Sequence, residues 1–256
     1  MHPHLSHRSI GRLTATAAAT AAAGCVAFTA ARADAGLMVD LRAVTVNGVP
    51  VVDSNGKQVV AGYGDVVGID VYVVVTGTNT LNDEALQDLG GSFRSTGGMR
   101  GDLSSALLAP FNAIGSQPGL PVDADSDGDF DIGPAPTATG PVAATQFFHV
   151  RSDTMTEGGV PVSSAAEEFR VMALTFTAME NGPPTFVEFL RRLNPNGTNN
   201  LAYGVWKEDG GVRNATNTPI TTSGVQIGIP EPAGVTLSGL AGLGLLARRR
   251  ENVDRG

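Results

Sequence analysis

The chain has 256 residues, 42% of them hydrophobic, with a formal net charge of -8 and a pI near 4.9. Phosphate recognition needs the opposite sign of charge, so no nucleic-acid partner is expected. A single cysteine, Cys25, excludes an intrachain disulfide and leaves a packed core or a metal to stabilise the fold.

Residues 1–12 carry Arg8, Arg12 and three histidines, and residues 13–30 form an Ala/Thr-rich apolar run. Ala31-Arg32-Ala33 or Ala33-Asp34-Ala35 then supplies an A-x-A cleavage site. This is the pattern of a secretory signal peptide, expected over residues 1–35. An alternative takes Ala22-Ala23-Gly24-Cys25 as a lipobox, but the bulky aliphatic residue three places before Cys25 is missing. Residues 36–229 hold ten Lys/Arg against twenty-one Asp/Glu, so this part is more acidic than the whole. Its length suits one β domain, and its acidity leaves divalent cations open as ligands.

From residue 37 the pattern is that of strands. Val39, Leu41, Val44 and Val46 lead to an Asn47-Gly48 turn, residues 49–52 follow, and Asp53-Ser54-Asn55-Gly56 precedes Val59-Val60. Residues 66–76 are the strongest strand, with Ile69, Val71, Val73 and Val75 on one face and Asp70, Tyr72, Val74 and Thr76 on the other. Apolar residues on much of both faces predict a central position. Residues 81–89 read as a helical turn, with Asp83 and Glu84 where a helix N-terminus favours acid. Weaker strands are expected at 93–95 and 103–108. Residues 110–141, rich in Gly, Pro, Asp and Thr, have too little apolar surface to order unaided.

Strand character returns at 146–151 and 168–179, where Met172, Leu174, Phe176 and Ala178 are expected to share a face with Arg170. Residues 186–193 fit a strand or a helical turn, 201–206 a strand with the only tryptophan, and 225–229 a last strand. About nine short strands with Gly/Asn turns predict an all-β fold, an antiparallel β-sandwich.

One constellation carries recognisable chemistry. Asp123, Asp125, Asp127, Asp129 and Asp131 occupy alternate positions, with Gly128 after the third. This is the D-x-D-x-D-G opening of an EF-hand-type loop, in which oxygens at positions one, three, five and seven converge on a hard cation and the glycine permits the sharp turn. All-oxygen ligands select calcium. Similar loops stand without full EF-hand helices in dockerins and thrombospondin-type repeats. Here Pro134 occupies the twelfth position, so the usual bidentate carboxylate is absent and weak binding is expected. The competing reading is an acidic linker.

Catalytic constellations are poor. His149 is the only histidine after the signal region, no G-x-S-x-G or H-E-x-x-H occurs, and a strand histidine is expected. Glu167-Glu168 and Glu208-Asp209 are the carboxylate pairs from which a carbohydrate-active enzyme could draw an acid and a base. Tyr203 and Trp206 could instead stack on a sugar in a carbohydrate-binding module.

The last segment, 230–256, has three parts: Pro230-Glu231-Pro232, a charge-free Leu/Gly-rich run over 233–247, and Arg248-Arg249-Arg250. A fifteen-residue helix spans roughly 22 Å, short of the roughly 30 Å hydrocarbon core, and the arginines favour the cytoplasmic side. These parts in order resemble a PEP-CTERM sorting signal of exported Gram-negative proteins. The resemblance implies membrane anchoring through that helix, then processing by an exosortase-type transpeptidase, and delivery to an envelope or matrix containing exopolysaccharide. The phrases GDVVGIDVYVVVTGTN, FRST, LLAPFNAIGSQPG and FRVMALTFTA are similar to PEP-CTERM proteins of planctomycete type, for which no activity is implied. The strand pattern is also similar to cohesin-type domains. These readings together predict an exported, non-catalytic structural or adhesive protein.

Overall fold

The computed structural model describes residues 36–52, 55–136, 138, 145–192, 204–214 and 220–228. The expected signal peptide (1–35), the sorting segment (230–256) and Tyr203 lie outside them. No helix of the described residues is long and apolar enough to cross a membrane.

The described chain is all-β, in two curled and largely antiparallel sheets. The first is built on β1 (Gly36–Val46), β4 (Val66–Thr76), β11 (Ala166–Ala178), β10 (Val160–Ser163) and β15 (Ile220–Ser223), in the order β10-β11-β4-β1-β15. The doubly apolar β4 sits between β1 and β11, the central place that its sequence predicts. β2 (Val49–Pro50) folds back on β1 through Asn47 and Gly48, whose φ of 51° and 76° suit the primed turn of a two-residue hairpin. The Asn47 side chain also holds the start of β4, donating to Asp65 Oδ1 and accepting from Val66 N–H. β6 (Gly101–Leu107) covers the far edge of β11.

The second sheet is organised by β5 (Ala85–Gly97). It pairs with β12 (Thr185–Arg191) over 91–97, and nearer its start with both β9 (Phe148–Glu157) and β13 (Gly204–Glu208). β14 (Gly211–Asn214) extends β13, while β16 (Val225–Ile227) and β3 (Gln58–Val59) extend β12. The short β7 (Pro121–Val122) and β8 (Asp131–Ile132) form a hairpin that joins β5 through Phe93 and Ile132.

Two expectations are corrected here, both by bulges. Residues 85–89 are strand, not a helical turn. Leu86 and Leu89, whose spacing of three suggests a helix, are both fully buried because the ladder shifts register between Leu86 and Asp88. The extra residue of a bulge restores the second leucine to the inner face. Likewise Arg170 does not share a face with Met172: the register against β4 shifts between Arg170 and Met172. Phe169 and Val171 are therefore buried before the shift and Met172, Leu174 and Phe176 after it, with Arg170 left outside beside Asp70.

Residues from both sheets share one apolar core cluster, including Val39, Val71 and Phe176 from the first and Leu89, Phe93, Phe189 and Trp206 from the second. Phe93 stacks on Phe148 at 4.7 Å between centroids, and Phe189 meets both rings at 5.6 and 5.7 Å. Gly91 is required by this packing, since any side chain there would collide with the Phe189 ring. The polar stretch from 110 onward is held by backbone bonds to its neighbours. Ala113 N–H donates to Arg151 O, Gln117 and His149 exchange two bonds, and Leu103 N–H donates to Phe130 O.

Candidate metal centre

The β7–β8 hairpin encloses residues 123–130, so the D-x-D-x-D-G sequence is a hairpin loop. Positive φ at Ser126 (67°) and Gly128 (94°) curls it tightly. As a result Asp123, Asp125 and Asp127 each present a carboxylate oxygen, and the three lie within 4.8 Å of one another on an exposed surface. Oxygens bound to one calcium at about 2.3–2.6 Å lie no more than about 5 Å apart, so the trio fits the spacing of a shared hard cation. Among the described residues no other acidic side chain joins this group. Further ligands would have to be backbone carbonyls or water, in keeping with Pro134 at the twelfth place.

Asp129 and Asp131, predicted with the trio, turn the other way. Asp129 is buried, and its Oδ2 accepts Gly101 N–H at 2.8 Å and the Ser95 hydroxyl at 3.1 Å. Asp131, also buried, accepts Ser95 N–H on Oδ1 at 3.0 Å. They pin the loop to β5 and β6. Each keeps one buried oxygen without a hydrogen-bond donor, Asp129 Oδ1 and Asp131 Oδ2. Arg94 faces this gap, with Nε 3.5 Å from Asp131 Oδ2 and 3.8 Å from Asp125 Oδ2.

The electrostatics follow from burial first and from crowding second. Burial pushes Asp131 up to about 7, with Asp125 and Asp129 adding to the rise and Arg94 opposing it. Burial also raises Asp129 to about 6, and Asp127 adds to it. Asp125 is raised by burial and then by Asp127. Carboxyls whose charged forms are disfavoured by burial and by one another are ones that a nearby divalent cation would relieve.

Sequence reasoning misses Arg94, Ser95 and Gly101. They meet the loop through the Phe93–Ile132 pairing and the β6 edge, long-range contacts that no local pattern announces. The other candidates are engaged elsewhere. Trp206 is fully buried and donates from Nε1 to Glu208 Oε2 at 2.9 Å, so it offers no face to a sugar. Glu208 also receives Arg213, and Asp209 caps Thr78 and Asn79. Glu167 is buried and accepts Gly159 N–H, while Glu168 takes Arg42. His149 lies on β9 with Nε2 2.8 Å from Asp88 Oδ1.

Fold and site thus define an all-β protein with an aspartate-rich hairpin loop shaped to gather oxygen ligands. No protein-family model matches its sequence, and no curated protein matches it.

Proposed function

We propose that this chain is an exported, non-catalytic structural or adhesive protein of the cell envelope, whose domain is a cohesin-like β-sandwich clamped by calcium at Asp123, Asp125 and Asp127. The observation that carries the reading is the convergence of those three carboxylates in a loop with the correct glycine. Calcium would tie the hairpin loop down and so hold its contacts with β5 and β6. Secretion, membrane anchoring, exosortase-type processing and association with exopolysaccharide rest on the terminal sequence signals. The test is calorimetry with calcium, together with melting in calcium and in chelator. Binding in the roughly 10⁻⁴ to 10⁻³ M range is expected. At one hundred times Kd it should stabilise the fold by about 2.7 kcal/mol. Asp123→Ala with Asp127→Ala should abolish that contribution. No calcium heat at this loop at millimolar concentrations would leave an acidic linker only.

A second reading, a carbohydrate-binding module, is favoured by an open groove of about 850 Å³ lined by Lys57, Gln58, Phe186, Glu188, Thr222 and Gln226. Phe186 is substantially exposed there, and Gln58 donates to Gln226 at 2.9 Å, giving an aromatic face beside paired amides. Pyranose rings stack on such faces, and amides match vicinal hydroxyls. Loss of neutral-glycan binding in Phe186→Ala would support this reading; absence of binding by the wild type across a glycan array would dismiss it.

A further inference from the structure

A second acidic constellation lies away from the aspartate loop, where the sequence suggests only the start of a helix. Glu84, immediately before β5, has no exposed surface, and neither of its carboxylate oxygens accepts a hydrogen bond from another residue. A buried carboxylate that no other residue donates to is disfavoured in its charged form unless it is neutralised or receives a cation. Its charged surroundings make matters worse. Burial foremost, and then Asp83, Glu167 and Asp209, all acidic, raise its pKa, opposed only by its own backbone N–H. The nearby cations are committed: Lys207 sits 3.0 Å from Glu157 and Arg213 3.0 Å from Glu208.

The backbone makes room for these carboxylates. Gly77 follows β4, and its N–H is fixed by Ala165 O. A methyl group on Gly77 would strike Glu84 Oε1 and lie 2.7 Å from Asp209 Oδ1. The two oxygens therefore share one cleared space against the chain. Asp209, at the β13–β14 turn with φ of 51°, is held in place by the N–H groups of Thr78 and Asn79 at 2.7 and 2.8 Å and by the Thr78 hydroxyl at 2.7 Å. Those bonds hold its carboxyl below its ordinary range, so it stays ionised. Glu167, buried on β11, has Oε2 fixed by Gly159 N–H at 3.0 Å.

We propose that Glu84 and Asp209 form a second binding site for a hard divalent cation of the calcium class, with Glu167 adding negative charge nearby rather than a ligand. Oxygen-only donors exclude the softer metals that prefer thiolate or imidazole. The site would join the β4–β5 loop to the β13–β14 turn, and it does not depend on the aspartate loop being a metal site.

The chain carries its own reporter. Its only tryptophan, Trp206, pairs across the ladder with Leu86, two residues from Glu84, and its indole contacts Glu208, the neighbour of Asp209. The experiment is terbium(III) luminescence of the full chain with selective excitation of tryptophan, paired with calcium calorimetry. Sensitised emission that calcium displaces is expected. It should persist in Asp123→Ala with Asp127→Ala, where calorimetry should still find one calcium per chain. Emission should be lost in Glu84→Gln and in Gly77→Ala, the second of which fills the cleared space with a methyl. Absence of emission in the wild type, equal emission in Glu84→Gln, or no remaining calcium in the Asp123/Asp127 double variant would each overturn the proposal. Glu84 would then be a buried acid that simply keeps its proton.

Discussion

Replacing Asp131 with asparagine should change how stability depends on pH when metal is removed. The carboxyl titrates near 3.8 in the unfolded chain and at about 7 in the folded one, chiefly because it is buried. Between those values the folded state holds a proton that the unfolded state has lost. Stability is therefore greatest on the acid side and falls as pH rises through the folded pKa. From about pH 5 to about pH 8 the loss from this group is on the order of 3 kcal/mol. In Asp131→Asn the amide oxygen can still accept Ser95 N–H, the amide hydrogens can face the neighbouring carboxylates, and nothing at that position titrates. Urea unfolding of both proteins in chelator at several pH values measures the difference. The wild-type curve should fall more steeply by that amount, and the variant should be the more stable above about pH 7. Parallel curves for the two proteins would refute the argument, because they would mean that Asp131 has the same pKa folded and unfolded.

Other substitutions probe the core and its buried polar contacts. Phe189→Ala removes a ring that contacts Phe93 and Phe148, and should cost about 3–5 kcal/mol, read as a lower denaturant midpoint at unchanged m-value. Trp206→Phe takes the donor from Glu208 Oε2 and leaves that buried carboxylate with Arg213 alone, so a loss of roughly 1.5–3 kcal/mol is expected by thermal melting.

Long alternating runs are legible in the sequence because their period survives intact in the fold. Residues 66–76 become β4 with both ends in place, and the Asn47-Gly48 hairpin is likewise read correctly. Reading fails where one residue is inserted into the ladder. At Leu86–Asp88 a bulge turns a strand into a pattern with helical spacing, and at Arg170–Met172 another reverses which side chains face inward. Local pattern cannot show a bulge, since the register belongs to both strands. The aspartate trio is local and could be found from spacing alone. Asp129 and Asp131 share that spacing but answer to Ser95 and Gly101, so only the tertiary pairing of β5, β6 and β8 separates them from the trio.

The parallel pairing of β1 with β15 bears on how the domain would resist force. Their ladder runs from Leu37↔Ile220 to Asp40↔Ser223. Tension applied at Gly36 and at Gly224, just past the end of β15, draws β1 toward its own start and β15 toward its own end, so the two strands are pulled past each other lengthwise. The hydrogen bonds between them then bear the load together as a shear patch, whereas a hairpin pulled at its open end would unzip one bond at a time. Forced rupture is governed by the unfolding rate. Pulled at these two points in a single-molecule experiment, the domain should therefore yield at a higher force than when pulled at Asn47 and Val66, which peels the β1–β4 pair apart from one end.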